Sequence, residues 1–206
     1  MLRKKIKRGL IVSRYIIYKE TLVNFKEHFW SFIGTFAGIG LIAFFQSQLL
    51  PNSENVFLIA SFGASSVLVY GAIQSPLAQP RNLIGGHLIS ALIGVTVYKL
   101  IPDIIWLTAP LSVGLSIVFM QITKTLHPPG GATALIAVIG SEKIIKLGYM
   151  YVICPVFTGS LILLFTALIF NNMTSYRRYP TDIQFTKTFN KMISRKNNKN
   201  HNETTS

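Results

Sequence analysis

The stretch "HPPGGATALIAVIG", residues 127–140, decides how the chain is read. A histidine, two prolines and two glycines lead into an apolar run of helical character. At about 1.5 Å per residue it covers roughly 21 Å, short of a hydrocarbon core about 30 Å thick. Pro128 and Pro129 cannot donate hydrogen bonds, and their fixed φ suits the first turn of a helix, where N–H groups lack partners anyway. A helix is therefore predicted to begin there. Gly130 and Gly131 carry no side chains, so the N–H groups of that turn are open to close approach by a ligand or another backbone. Such a terminus bears partial positive charge and suits an anion. The competing reading is that the prolines only break the chain and the glycines only permit tight helix crossing.

Working outward, the uncharged runs Phe29 to Ser53, Asn55 to Pro80, Ile104 to Thr123 and Leu147 to Tyr176 each reach the length of a spanning helix. Half of the 206 residues are hydrophobic and 13% are charged, which points to one membrane domain with short polar flanks. The domain is read as residues 29–176. The flank 1–28 is read as a basic amphipathic helix on the membrane surface, and the tail 177–206 as basic and disordered. Cys154 is the single cysteine, so no intrachain disulfide forms.

The net charge of +13 raises nucleic acid as a partner, but its distribution argues otherwise. Residues 1–28 hold eight Lys/Arg and two Glu, residues 171–206 hold seven and two acidic residues, and the stretch between holds five and three. Positive charge concentrated in both flanks is a topology signal. It places both termini in the cytoplasm and requires an even number of crossings of the cell membrane. The loop "PNSEN", residues 51–55, lacks Lys and Arg and falls outside. No nucleic-acid module or aromatic interleaving accompanies the basic tail.

Turn signals cut the runs into six helical segments, at about 30–49, 55–73, 83–100, 104–123, 127–140 and 147–170. The fold class is an all-α membrane protein of about six segments, four full spans plus two short or broken helices. Four and six crossings are both even, so parity leaves them open. "FGASSVLVYG" (62–71) and "GGATALIAVIG" (130–140) both open an apolar half-helix with Gly-Ala-Ser/Thr, 68 residues apart. That pairing points to an inverted three-helix repeat of the transporter kind, although small-residue clusters also serve simple helix packing.

Several residues could carry chemistry. His127 stands just before the predicted helix start, where an imidazole is costly unless partnered or wet; the alternative is a headgroup-level histidine near Lys124. Thr133 and Ser65 could face a permeant solute or bond back to their own helix. Gly63 opens the opposed half-helix. In "SPLAQPRNLIGGH", residues 75–87, Pro76 and Pro80 hold the chain extended and present Arg81, Asn82 and His87 from an ordered entrance. Arg81 is the only arginine between residues 14 and 177. It is either the counter-charge for an anion or an ordinary positive-inside loop residue. Gly85 and Gly86 let the third segment pack closely. Acidic residues within the core are Glu54, Asp103 and Glu142, all at predicted loops, so no carboxylate pair supports an enzyme. His87 and His127 are too few for a metal site, and no phosphate-binding or dinucleotide fingerprint is present, so no metal or cofactor is expected.

"SPLAQPRNLIGGHLISALIGV", "LHPPGGATALIAVIG" and "NNMTSYRRYP", in that order, closely resemble the HPP family of integral membrane proteins, named for the His-Pro-Pro that is His127, Pro128 and Pro129 here. The resemblance covers roughly residues 29–180. It implies about four spanning helices. Some members carry added soluble CBS domains, none of which is expected within these 206 residues, and cyanobacterial and chloroplast members are associated with nitrite transport. The resulting expectation is a transporter or channel for a small inorganic anion such as nitrite. The residues His127 to Gly131, Thr133, Gly63, Ser65, Arg81, Asn82 and His87 are expected to line its path. The rival reading is a non-transporting membrane scaffold or sensor module. Lipid is the expected partner, and a homo-oligomer is left open.

Overall fold

The computed structural model describes residues 25–48, 60–102 and 104–181. The predicted surface helix before residue 25, the 51–55 loop and most of the tail lie outside the described residues. The described chain is all-α. Helix α1 spans Phe25–Ser47 and α2 spans residues 60–71, its last turn, Val67–Gly71, wound as a π-helix. Helix α3 spans Pro80–Leu100, α4 Ile105–Ile122, and α5 Pro129–Ile139. A five-residue helix, α6, covers Glu142–Lys146, and α7 covers Val152–Phe170. Among the described residues four helices, α1, α3, α4 and α7, are long and apolar enough to cross a membrane. Of the other two predicted segments, α5 is a short helix and α2 is described from residue 60 onward, so the six predicted segments correspond to four long helices, α5 and the described part of α2.

Helix boundaries follow local chemistry. Pro80 and Pro129 occupy first-turn positions of α3 and α5, where a missing N–H costs nothing. Between α4 and α5 the chain reverses at Lys124, which adopts a left-handed φ of 56°. The Thr125 N–H returns to the Met120 carbonyl at 2.8 Å and the Lys124 N–H to Gln121 at 3.1 Å, closing the free carbonyls of α4. Ser141 caps α6 through the Ile144 N–H. Cys154 adopts extended dihedrals at the start of α7, beside Pro155, and kinks it there.

The burial pattern is that of a protein in lipid. Along α4 the buried residues are Thr108, Ser112, Ser116 and Met120, one every four residues, while Trp106, Ile117, Val118, Phe119 and Ile122 are exposed. Small hydroxyl residues face the bundle and bulky apolar ones face outward, which is favourable when the surroundings are as apolar as the side chains. Their hydroxyls return to their own helix, as Ser116 does to the Ser112 carbonyl at 2.7 Å. Helix α1 buries Gly34, Gly38, Ile42 and Gln46 at the same spacing. Gly38 admits the Tyr70 hydroxyl, which a Cβ there would meet at 2.5 Å.

Two apolar clusters flank the centre. Ile42, Phe62, Val69, Tyr70, Leu83 and Leu163 join α1, α2, α3 and α7. Ala91, Val95, Ile136, Ala137, Tyr151 and Val156 join α3, α5 and the entry to α7. The short helix α5 sits chiefly against α3 and α4.

The predicted boundary at 177 falls inside the packed structure. Arg177 is 2% exposed and donates to the Tyr70 carbonyl at 2.8 Å, Asn171 Oδ1 at 2.7 Å and Glu27 Oε2 at 2.9 Å. It ties the start of α1 to the end of α7, and α1 accordingly begins at Phe25 rather than near 30. Tyr179 is buried too, donating to the Ala78 carbonyl at 2.7 Å. Burial pushes its phenol up from the ordinary range, and the neighbouring Tyr70 phenol adds to the shift.

Candidate functional site

The centre of the molecule is built where α2, α3 and α5 converge on the loop before α5. Gly85 and Gly86 let that loop lie directly on α3. A Cβ on Gly85 would meet Thr125 Cγ2 at 2.5 Å, and one on Gly86 would collide with the Cβ of His127. Gly130 nests in the same way, its missing Cβ facing Ser90 Oγ at 2.6 Å and the Gly86 carbonyl at 3.0 Å. Arg81 donates to the Thr123 carbonyl and Asn82 to the Leu126 carbonyl, both at 2.7 Å, so two side chains from the first turn of α3 brace the chain that delivers His127.

His127 and His87 are both fully buried, with ring centroids 5.0 Å apart. Ser65 Oγ lies between them, 2.9 Å from His127 Nε2 and 2.8 Å from His87 Nε2. The other nitrogen of His127 faces the Leu77 carbonyl at 2.9 Å, and that of His87 faces Thr133 Oγ1 at 2.8 Å. Thr133 in turn contacts Ser61 Oγ at 2.8 Å, and Ser61 reaches the Pro129 carbonyl at 3.1 Å. Phe62 covers His87, and the Tyr151 hydroxyl donates to the Thr133 carbonyl at 3.0 Å. Buried polar groups are costly unless paired, and here each ring nitrogen has a partner.

This arrangement gathers His87, His127, Ser65 and Thr133 into one cluster and separates them from the other expected residues. Gly63 is not in the cluster; a Cβ there would meet nothing within 4 Å. The N–H groups of Gly130 and Gly131 are not free, because they donate to the His127 and Pro128 carbonyls at 2.8 and 3.0 Å. The first turn of α5 closes on its own chain at these two positions, so the N–H groups expected to meet an anion point to carbonyls in this structure. His127 is fully buried within the protein.

Arg81 and Asn82 stand apart from the buried cluster and line an open cleft of about 320 Å³ together with Gln74, Gln79, Lys124 and Thr181. Among the described residues no group of three or more His, Cys, Asp or Glu could hold a metal ion.

Ser61 was not singled out in the sequence, although two signals mark it. It lies one helical turn before Ser65, on the same face, and 68 residues before Pro129, the offset that also separates Ser65 from Thr133. Arg177 was hidden in the basic tail, where its charge counts toward topology and not toward a buried hydrogen-bond node.

No solved structure matches the chain. A transmembrane protein of Dictyostelium discoideum is 43% identical over 163 residues, which are 76% of this chain and 51% of the relative. A second transmembrane protein of the same organism is 41% identical over 168 residues, 79% of this chain and 58% of the relative. The chain thus spans between half and three fifths of the curated relatives it matches. The family model described as "HPP, transmembrane region" matches residues 20–180, the span that includes all of α1 to α7 and the buried histidine cluster, and the chain belongs to this HPP transmembrane family.

Proposed function

We propose that the protein is a multi-pass transporter or channel for a small inorganic anion, nitrite being the case its family raises, with both termini in the cytoplasm. The observation that carries the reading is the cationic cleft. Arg81 and Lys124 line its mouth, and the hydrogen bond from Arg81 to Thr123 ties that mouth to the loop bearing His127. Two positive charges in a partly enclosed cleft raise the local concentration of an anion. Behind the loop lies a polar interior in which two imidazoles join the buried hydroxyls, and ionisable side chains inside a membrane bundle are rare and costly. The contact of α2 with the Gly-Ala-Thr turn of α5, made by Ser61 one turn before the Ser65 of the Gly-Ala-Ser motif, supports an inverted-repeat construction around that interior. In this reading the anion is first met by side chains of the cleft, and the closed first turn of α5 must open or be bypassed for passage.

A second reading, a non-transporting scaffold or sensor, draws support from one specific feature. Both imidazoles are fully buried and their ring nitrogens are all engaged within the chain. Uptake of a panel of small anions into liposomes containing the purified protein separates the two. Transport predicts uptake above that of empty liposomes for at least one anion, and a scaffold predicts none for any.

A further inference from the structure

Five side chains of the central cluster, Ser61, Thr133, His87, Ser65 and His127, form an unbroken hydrogen-bonded chain whose two ends close on the carbonyls of Pro129 and Leu77. Carbonyls only accept, so the hydrogens along the chain can be counted.

In the neutral state His127 carries its hydrogen on Nδ1, because the Leu77 carbonyl can only accept it. Its bare Nε2 must then accept from Ser65. Ser65 has one hydrogen, and the Ser61 carbonyl one turn back is a further acceptor at 3.2 Å. Because the bare His127 Nε2 has no other donor, that hydrogen goes to it, and the contact to His87 is satisfied only if His87 Nε2 donates to Ser65. His87 Nδ1 is therefore bare and accepts from Thr133, which accepts from Ser61. Every bond runs toward Leu77, and Ser61 gives nothing to the Pro129 carbonyl.

One added proton changes this order. On His87, both ring nitrogens donate, so Thr133 now receives, passes its hydrogen toward Ser61, and Ser61 donates to the Pro129 carbonyl 3.1 Å away. On His127, Ser65 also reverses, and His87 is neutral with its hydrogen on Nδ1. The two forms interconvert through Ser65: the Nε2 proton of one ring passes to Ser65 Oγ while the Ser65 hydrogen passes to Nε2 of the other ring. One N–H bond breaks and one forms, with no net change in atoms.

The surroundings favour one proton over two. A second would place two imidazolium rings 5.0 Å apart. Helix α4 brings no charged residue to the cluster, and Tyr151, from the turn before α7, reaches only the Thr133 carbonyl. On α3 the nearest charge is Arg81, turned to the Thr123 carbonyl, and on the loop it is Lys124 at the cleft. Tyr70 of α2 is held by Thr166. The carboxylates among the described residues, Glu27 and Glu142, are paired with Arg177 and Lys146.

We propose that this chain is a proton-binding site which takes up a single proton shared between His87 and His127 through the Ser65 hydroxyl. Uptake reverses the Thr133–Ser61 hydrogen bond, so that Ser61 donates to the Pro129 carbonyl at the start of α5. The site does not depend on anion transport. That the proton is also the coupled ion is a corollary resting on the transport reading.

The test is nitrogen-15 NMR of the full chain in lipid nanodiscs with ring-labelled histidine, the spectra being assigned with His28→Gln and His201→Gln variants. Near neutral pH the hydrogen should sit on Nδ1 of His127 and on Nε2 of His87. On acidification one proton per chain should enter, with both rings moving over a single shared transition. Ser65→Ala should confine the proton to one ring and leave the other neutral, and Ser65→Thr should restore sharing. The same tautomer in both rings, two separate uptakes, titration of one ring alone in the unmodified protein, or no uptake would each overturn the proposal. If Ser65→Ala fails to fold, the tautomers and the proton count of the unmodified protein decide alone. A one-proton transition in a protein that moves no anion would uphold the site and remove the transport reading.

Discussion

Gly94→Ala is the sharpest probe of how the short helix α5 is seated. A Cβ at Gly94, on α3, would lie 2.5 Å from the Ala134 carbonyl oxygen, 3.0 Å from Ala134 Cα and 2.8 Å from Ala137 Cβ. Ordinary van der Waals contact begins at roughly 3.4 Å, so the oxygen contact is about 0.9 Å too close. Two of the three obstacles are backbone, so no rotamer change relieves them and the helices must part. His87 on α3 and Thr133 on α5 are 2.8 Å apart, and a separation of that size would carry them out of hydrogen-bond range. Overpacking of this kind costs about 1–3 kcal/mol and the lost hydrogen bond about 1 kcal/mol. The better helix propensity of alanine returns up to about 1 kcal/mol. The net loss is then about 1–3 kcal/mol, which at roughly 2–4 °C per kcal/mol for a chain of this size lowers Tm by several degrees. Gly63→Ala is the matched control, since a Cβ there meets nothing within 4 Å and should leave Tm unchanged or raised. Thermal unfolding followed by circular dichroism in one lipid environment compares them. A Gly94→Ala protein as stable as Gly63→Ala would refute the close seating of α5 on α3.

Arg177→Met should be costly, by about 3–5 kcal/mol, because it removes the partner of Glu27, Asn171 and the Tyr70 carbonyl together; an unchanged Tm would show that the node does not hold α1 to α7. For topology, a cysteine introduced at Ser53 in a Cys154→Ser background should react with an impermeant reagent in intact cells, and reaction only after permeabilisation would invert the assigned orientation. Arg81→Gln should weaken anion uptake most at low ionic strength, where a solvent-reached charge is least screened. Equal uptake by both proteins at every salt concentration would free Arg81 from any role beyond bracing Thr123.

The long helices were legible because their signal is local. The uncharged run 104–123 became α4 over Ile105–Ile122, and the Pro129 start and Gly140 stop bounded α5 within two residues of the predicted segment. Helix α1 was placed too late because Lys26, Glu27 and His28 look like a polar flank until Arg177 is seen beside Glu27. The same distant pairing hid the packed character of residues 177–181. At the site, the residue types were readable but their partners were not. The sequence offers Thr133 a solute or its own helix, and the fold gives it His87 and Ser61, 46 and 72 residues away. The glycines after Pro129 invite an anion on local grounds alone, yet tight turns satisfy two of those N–H groups and close packing accounts for Gly130. The 68-residue echo between α2 and α5 marked Ser65 and Thr133 and, read one turn earlier, also marks Ser61.

The proposed passage of small anions through a cationic entrance is open to a direct test of sign selectivity in purified proteoliposomes. Nitrite and potassium are supplied in turn to vesicles with and without the protein, and entry of each is followed over time. A cleft lined by Arg81 and Lys124 attracts an anion and repels a cation, and no described carboxylate stands there to replace the hydration of potassium. Protein-dependent entry of nitrite or a similar monovalent anion is expected, with none of potassium. Equal entry of both ions, or of neither together with failure of every other small anion tried, would contradict it.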